Sequence, residues 1–412
     1  MQSIHQEIQV RFRYAVHFTT DLFGPGNPLL RDVVRNGSGD LPAKVLFAVD
    51  GGLVRPHPAL PGSIERYCEE HRAALQLARP PLVIEGGEGA KNSLQAVAAL
   101  RQAIHDAGLC RHSYVVAVGG GAMLDVAGYA AATSHRGMRL IRVPTTSLAQ
   151  ADAAVGVKNS LNAFGKKNFL GTFAPPFAVL NDFLFLTTLS DRDWRGGVAE
   201  AIKVALIRDA AFFEFLEQHV ARIASRDMAV MQQVIYRCAA LHLRHIATSG
   251  DPFEFGASRP LDFGHWAAHK LEQRTNHALR HGEAVAIGIA LDSTYSHLIG
   301  LLPAVDWQRA LDALSAAGFS LYAPELSQFL DQRDDPRCLL QGLNEFREHL
   351  GGPLTVMLLR RIGQGVEVNE IDEEVVRKSI GVLERRETAP ETGGPREWKG
   401  ERPWIPARAR AL

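Results

Sequence analysis

The residues best suited to chemistry fall into two groups. Beyond about residue 190, Glu200 stands in GGVAEAIK, His265 and His269 in DFGHWAAH, and His281 in RHGEAVAIG. A helix sets residues four apart on one face, so His265 and His269 could clamp a divalent cation. A carboxylate with two imidazoles would leave coordination positions open, as a catalytic metal requires. The chain has 16 histidines, so chance pairs are common and spacing alone leaves the assignment open. In the first half, VVAVGGGAMLDVAG sets Gly119, Gly120 and Gly121 between a strand pattern and a helix pattern. Glycines there let the backbone approach a pyrophosphate while the N–H groups of a helix start face it. The segment is not a strict GxGxxG, and a tight turn without a ligand would read the same way. Asp50, directly after an apolar run, could accept bonds from a ribose diol, and GGEGAKN offers Glu88 and Lys91 at another strand end.

These residues need elements to hold them. KVLFAVD (44–50), PLVIEGGE (81–88), SYVVAV (113–118) and MRLIRVP (138–144) read as buried strands. Helical patterns over 93–109 and 121–135 alternate with them. Such alternation predicts a mostly parallel sheet covered by helices, a Rossmann-like α/β domain, with ligands at the carboxyl ends of its strands. From about residue 190 the segments DWRGGVAEAIKVALI, AVMQQVIYRCAALHLRHIA, DFGHWAAHKLEQ and EAVAIGIALDSTYSHLIG favour helix. The reading is an α/β domain over 1–188 and a mainly helical domain over 189–384. PLTVMLL (353–359) is expected to form a small hairpin with VEVNEI. The Pro- and Arg-rich tail over 385–412 lacks the apolar surface to order itself.

At 412 residues the chain can bury two cores, and its apolar fraction of 46% and charged fraction of 22% are those of a soluble globular protein. Lys plus Arg equal Asp plus Glu at 45 each, so no net field points to nucleic acid or an anionic membrane. Cys68, Cys110, Cys238 and Cys338 show no pairing pattern and read as reduced, buried thiols. The N-terminus carries charges where a signal peptide needs an apolar run, so a cytoplasmic location is expected.

Over roughly residues 40 to 375 the chain resembles 3-dehydroquinate synthase and its relatives, the sugar-phosphate cyclases. The segments that carry the resemblance are GGEGAKN, VGGGAMLDVAG, ATSHRG, VPTTSLAQADAAVGVKNSLNAFGKKN, GGVAEAIK, FGHWAAH and HGEAVAIG, in that order. The resemblance implies a homodimer, a tightly held NAD and one zinc or cobalt ion. It implies Glu200, His265 and His281 as metal ligands, with His269 catalytic instead of a ligand, against the local spacing. It implies NAD contacts at Asp50, Glu88, Lys91, Gly120, Gly121, Asp125, Thr145, Thr146, Phe185 and Thr188. Catalytic roles are implied for His269, Lys203, Asp152 and Lys158, and Lys167 and Asn168 would line the substrate site. Arg136 would reach the phosphate pocket of the neighbouring subunit. The implied reaction borrows a hydride at one carbon, eliminates phosphate, returns the hydride and closes a ring by an aldol step.

Three positions depart from the pattern of the synthases. Ser258 takes an arginine position, Asp262 replaces an asparagine near the phosphate, and Arg244 stands where a substrate-binding lysine is usual. FREHLGG (346–352) lacks the late lysine pair. A buried carboxylate needs a charge-assisted partner. Arg259 could supply one, although Pro260 holds it extended. The expected substrate therefore lacks a carboxylate, with sedoheptulose 7-phosphate favoured and a C7 cyclitol as product, as in the EboD-like and cyclitol-forming branches. Three other readings remain: a true 3-dehydroquinate synthase, an NAD- and metal-dependent polyol or alcohol dehydrogenase, and an inactive binding or scaffold protein on this fold.

Overall fold

The structure is a computed structural model that describes residues 3–39, 41–256 and 259–388. They divide into two compact units, one of residues up to Thr145 with 156–188, the other of residues 146–155 with those from Leu189 onward. Ser258 and the tail beyond Thr388 lie outside the described residues.

The first unit is built on strands β1 (Ala15–Thr19), β2 (Ala43–Asp50), β3 (Leu75–Leu77), β4 (Leu82–Ile84), β5 (Tyr114–Gly119) and β6 (Arg139–Pro144). An antiparallel hairpin of β7 (Lys158–Ala163) and β8 (Lys166–Phe173) follows, then β9 (Ala178–Asp182). The sheet runs β1-β9-β6-β5-β2-β3, with β4 also paired to β2. Every pair in it is parallel. Helices α1 (Leu29–Ser38), α2 (Gly51–Val54), α3 (Leu60–Glu70), α4 (Gln95–Asp106) and α5 (Gly121–Thr133) complete the unit. All of β5 is buried, which is why its sequence is continuously apolar instead of alternating. Val45, Phe47, Val49, Val116 and Val118 share a core with Leu30 and Val33 of α1 and Ile64 and Tyr67 of α3. Each such side chain contributes about 1.5–3 kcal/mol by leaving water. The expected strands over 44–50, 81–88, 113–118 and 138–144 are all present, as are both helices between them.

The carboxyl ends of the strands collect most of the predicted nucleotide residues. Asp50 ends β2, the turn Glu88–Asn92 follows β4, Gly120 and Gly121 follow β5, Thr145 follows β6, and the turn Phe183–Thr188 follows β9.

The second unit holds a π-helical turn at Ala149–Ala153 and helices α6 (Asp191–Arg208), α7 (Ala210–Ala224), α8 (Met228–Thr248), α9 (His265–Arg274) and α10 (His281–Leu298). These are followed by α11 (Ala304–Ala316), α12 (Gln341–Leu350), the expected antiparallel hairpin of β10 (Val356–Arg361) and β11 (Gln364–Val368), and α13 (Glu373–Thr388). Arg385–Thr388, expected in the tail, are therefore helical. No described helix is long and apolar enough to cross a membrane. Cys68, Cys238 and Cys338 are buried free thiols as expected, whereas Cys110 is exposed.

One sequence expectation is corrected here. DFGHWAAH was expected to be helical throughout, yet α9 starts only at His265. Pro260–Asp262 form a 3-10 turn and Gly264 takes the left-handed conformation, φ 78°. NSLNAFGKKN, for which the sequence predicts no element, forms the β7–β8 hairpin.

Glycines bring α6, α9 and α10 unusually close. A Cβ on Gly282 of α10 would lie 2.6 Å from Gly196 Cα of α6. A Cβ on Gly288 of α10 would lie 2.0 Å from the Gly264 carbonyl oxygen before α9. A Cβ on Gly197 would lie 2.6 Å from the Ser147 carbonyl carbon. Backbone is on the other side of each contact, so relief requires helices to move. Gly288→Ala should therefore lower stability by about 1–3 kcal/mol through overpacking, read as a fall in the midpoint of chemical unfolding; an unchanged midpoint would show that the helices separate freely.

Candidate functional site

Helix α6 carries Glu200 on its buried side, and the carboxylate has no exposed surface. Its Oε1 lies 3.6 Å from His265 Nε2 at the start of α9 and 3.4 Å from His281 Nε2 at the start of α10. Ligand atoms of these three side chains all lie within 4.8 Å of one another, a grouping able to hold a metal ion. The far nitrogens are committed. His265 Nδ1 is 3.2 Å from the Phe263 carbonyl, and His281 Nδ1 is 3.1 Å from Glu272 Oε2. A carbonyl or carboxylate only accepts, so both Nδ1 atoms carry a proton, and each ring turns its Nε2 toward Glu200, where a neutral ring would offer a lone pair. An outer carboxylate or carbonyl on the second nitrogen is the usual support of a metal-binding histidine.

The entry of α10 is tied to α6 near these groups. Arg192 of α6 grips Glu283 with two bonds, Nε to Oε1 at 2.7 Å and Nη2 to Oε2 at 2.5 Å. Arg280 also pairs with Asp193. His281 and Glu200 thus receive their relative positions from a bidentate pair as well as from the glycine contact.

The electrostatics of the group are those of a buried anion beside a buried cation. Burial alone would raise the Glu200 carboxyl, but the paired Lys203 ammonium and the nearby imidazoles outweigh it and hold the group well below the ordinary carboxylate range. Lys203, one turn along α6 and equally buried, would be lowered by burial, yet Glu200 and then Asp152 hold it above the usual lysine value. His265 is pushed down to about 4 by burial and by Lys203. It is therefore neutral at pH 7, the state that ligates metal. Neither oxygen of Glu200 has a well-directed hydrogen bond among the described residues. A buried carboxylate in that state, with the Nε2 atoms of two imidazoles grouped beside it, fits a divalent cation.

The other predicted residues of this unit distribute unevenly. Asp152, in the π-helical turn, has its Oδ1 3.1 Å from Nε2 of the buried His242. His242 Nδ1 is held in turn by the Cys238 carbonyl at 2.9 Å. The ring of His269 stands 5.4 Å from that of His265 and 6.3 Å from that of His281. Asp262 ends the 3-10 turn and acts electrostatically on both Lys203 and His265. Arg244 does not join the group: it is exposed, two residues along α8 from His242 and so on nearly the opposite face. The sequence reading missed His242, although Met231, Ile235 and Cys238, which precede it at spacings of three and four, are all buried. Thr146 caps the turn that leads to Asp152, its Oγ1 accepting from Ala149 N at 3.1 Å.

In the first unit the predicted residues form a connected network. Lys91, only 3% exposed, donates to Asp125 Oδ2 at 2.6 Å, Ser160 Oγ at 3.0 Å and Asn168 Oδ1 at 2.5 Å. The three ammonium protons thus bind α5 and both strands of the β7–β8 hairpin into one corner. Asn168, at φ 55°, also takes a bond from its own N–H to Asn162 Oδ1 at 2.9 Å, and Asn162 in turn donates to Glu88 Oε1 at 3.0 Å. Sequence reasoning missed Ser160 and Asn162, which β7 brings to Lys91 and Asn168. Asp50 caps α2 through Gly52 N at 2.7 Å. Burial raises its carboxyl, and the N–H groups of Gly52 and Gly120 oppose that shift. A Cβ on Gly86 would lie 2.1 Å from Asp50 Oδ2, which accounts for a glycine there. Thr188 Oγ1 bonds His57 Nε2 at 2.7 Å, and Phe185 packs edge-on against the same ring. Lys158 opens β7, where the buried Arg142 binds its carbonyl at 3.0 Å, and Lys167 lies beside Asn168 on β8. Arg136 is exposed after α5, at φ 63°.

Comparison with known proteins bears on this arrangement. The profile described as 3-dehydroquinate synthase N-terminal matches residues 81–196, and that described as 3-dehydroquinate synthase C-terminal matches 197–332. The 2-epi-5-epi-valiolone synthase of Streptomyces glaucescens is 32% identical over 384 residues, 90% of this chain and 92% of that protein. A 3-dehydroquinate synthase of Pelobacter propionicus is 34% identical over 357 residues, 84% of this chain and 95% of that protein. Among solved structures, the 2-epi-5-epi-valiolone synthase ValA of Streptomyces hygroscopicus, with NAD+ and Zn2+ bound, aligns with a TM-score of 0.81 at 29% identity. That alignment spans 93% of this chain and all of ValA. With both profiles matched in order and relatives similar over nearly their whole length, this chain belongs to the 3-dehydroquinate synthase family of sugar-phosphate cyclases.

Proposed function

We propose that the chain is a cytoplasmic, homodimeric cyclase that uses NAD and one zinc or cobalt ion to close sedoheptulose 7-phosphate into a valiolone-type cyclitol. Glu200, His265 and His281 would hold the cation; Asp50, Glu88, Lys91, Gly120, Gly121, Asp125, Thr145, Thr146, Phe185 and Thr188 would form the NAD site. When bound, the cation would acidify the hydroxyl at the carbon to be oxidised and NAD would accept and return its hydride. The protein's own residues supply the rest. Lys203 holds Glu200 ionised, Asp152 orients substrate hydroxyls, and Lys158 and Lys167 neutralise phosphate as point charges. His269 moves the proton at the leaving phosphate oxygen, with Asn168 and Asp262 beside the sugar and Arg136 reaching the neighbouring subunit's site. Arg244 is dropped from this set because it is exposed on the far side of α8.

The observation that carries the choice of substrate is the condition of Arg259. Its guanidinium donates to the carbonyls of Gly256 and Glu254, each at 2.6 Å, and its Nε lies 3.1 Å from Glu254 Oε2. It closes its own loop, so recruiting it to a substrate carboxylate would break an ion pair and two hydrogen bonds. Asp262 adds negative charge close to Lys203, which further disfavours a carboxylated sugar. The similarity to valiolone synthases points the same way. A second reading, a true 3-dehydroquinate synthase, is favoured by the synthase relatives of equal or higher identity.

The two readings separate on a substrate panel. With NAD and zinc supplied, phosphate release and the cyclic product are followed by NMR for sedoheptulose 7-phosphate and for the carboxylated heptulosonate 7-phosphate. The non-carboxylated sugar should be preferred by about 30-fold or more in kcat/KM, the equivalent of about 2 kcal/mol for an unpaired buried charge. Preference for the carboxylated sugar would establish the second reading.

The ligand set has its own test in metal content. His265→Ala and His281→Ala should each lose the metal, while His269→Ala should keep metal and NAD and turn over about 100-fold more slowly. Metal loss in His269→Ala with retention in His281→Ala would reverse the assignment. Lys203→Met should destabilise the metal-free protein by about 3–5 kcal/mol, because it leaves a fully buried carboxylate without its cation. Unfolding of metal-free protein at the wild-type midpoint would show that the pair is not what keeps Glu200 ionised.

A further inference from the structure

Helix α10 does more than present His281. Positions 281, 288 and 292 are spaced by seven and four, so at 3.6 residues per turn they share one stripe of the helix. The stripe holds His281, then Gly288 in backbone contact with Gly264, then Asp292. Asp292 is 2% exposed. Its Oδ2 accepts from the backbone N–H of Gly264 at 2.9 Å, and its Oδ1 accepts from the indole Nε1 of Trp266 at 2.9 Å. Gly264 and Trp266 are the residues on either side of His265.

We propose that Asp292 is a positioning residue for the metal centre, a clamp that sets where His265 stands relative to His281 by gripping both neighbours of His265 from the helix that carries His281. The inference rests on the ligand set proposed above. The two bonds act at right places for this task. The Gly264 N–H fixes the left-handed turn that starts α9, and the Trp266 indole fixes the first residue after His265. The grip is reciprocated, since Glu272 of α9 holds His281 Nδ1, so each helix orients the other's ligand. Asp292 spends both oxygens on these donors, and nothing in the cyclase chemistry requires it otherwise. Burial pushes its carboxyl up to about 7, against the two N–H bonds, which oppose the shift.

The test uses the full-length protein loaded with zinc or with cobalt. Asp292→Asn keeps the size of the side chain but turns an NH2 group toward one of the two donors. Zinc affinity, measured by competition with a chromophoric chelator, should fall by about 10- to 100-fold, the range for outer partners of metal ligands. The visible absorption bands of the cobalt form should shift as well. Trp266→Phe, which removes one donor and leaves the Gly264 bond, should weaken zinc by a smaller factor in the same direction. Parent-like zinc affinity and an unchanged cobalt spectrum in Asp292→Asn would overturn the clamp, whatever happens to the unfolding midpoint. Should Asp292→Asn fail to fold, the same parent-like result for Trp266→Phe would overturn it. His265→Ala runs alongside: if it binds zinc as tightly as the parent, the ligand set itself falls, and that failure is distinct from a failure of the clamp alone.

Discussion

A carboxylate with no exposed surface is among the least tolerable groups in a protein interior unless cations and dipoles compensate it. Glu200 is such a group, and much of the second unit is arranged around it. Lys203 one turn away supplies the nearest positive charge. Two imidazoles face the carboxylate with their proton-bearing nitrogens turned outward, onto Phe263 and Glu272. Apart from the Lys203 contact, neither oxygen has a directed hydrogen bond among the described residues of the kind that ordinarily settles a buried anion. This is the electrostatic preparation expected of a cation site with coordination positions to spare.

The three groups could not meet without the glycines. Helices with ordinary side chains pack with axes 8–10 Å apart, whereas Gly196 and Gly282, and Gly264 and Gly288, put backbone against backbone. The sequence motifs GGVAEAIK, DFGH and HGEAVAIG each pair such a glycine with a chemically active residue nearby. In each motif the glycine allows the approach and the polar residue uses it. In the first unit a glycine does the same beside Asp50, where Gly86 leaves room for the carboxylate at the end of β2.

Much of this was legible in the sequence because the periodicities were clean. The apolar runs of β2, β5 and β6 and the glycines after β5 placed the sheet edge, and the motif order placed the family. What remained hidden was hidden for physical reasons. The four-residue spacing of His265 and His269 suggests a ligand pair, but the side chains grouped with His265 come from two other helices, and spacing within one segment carries no information on that. Arg244 looked like an anion binder by position alone; the buried face of α8 runs through Met231, Ile235 and Cys238, which selects His242 and turns Arg244 outward. The sequence sets Lys91 at a strand end without partners, and only the fold shows its ammonium enclosed by Asp125, Ser160 and Asn168. Asp292 gives no signal at all in an apolar helix except its own oddity there.

The central claim is that Glu200, His265 and His281 share one cation. X-ray absorption at the zinc edge of the zinc-loaded protein tests it without reference to turnover. The account predicts a first shell of nitrogen and oxygen only, at about 2.0–2.2 Å, with the outer-shell scattering of two imidazole rings. A sulfur scatterer at about 2.3 Å, or a shell without imidazole, would contradict it.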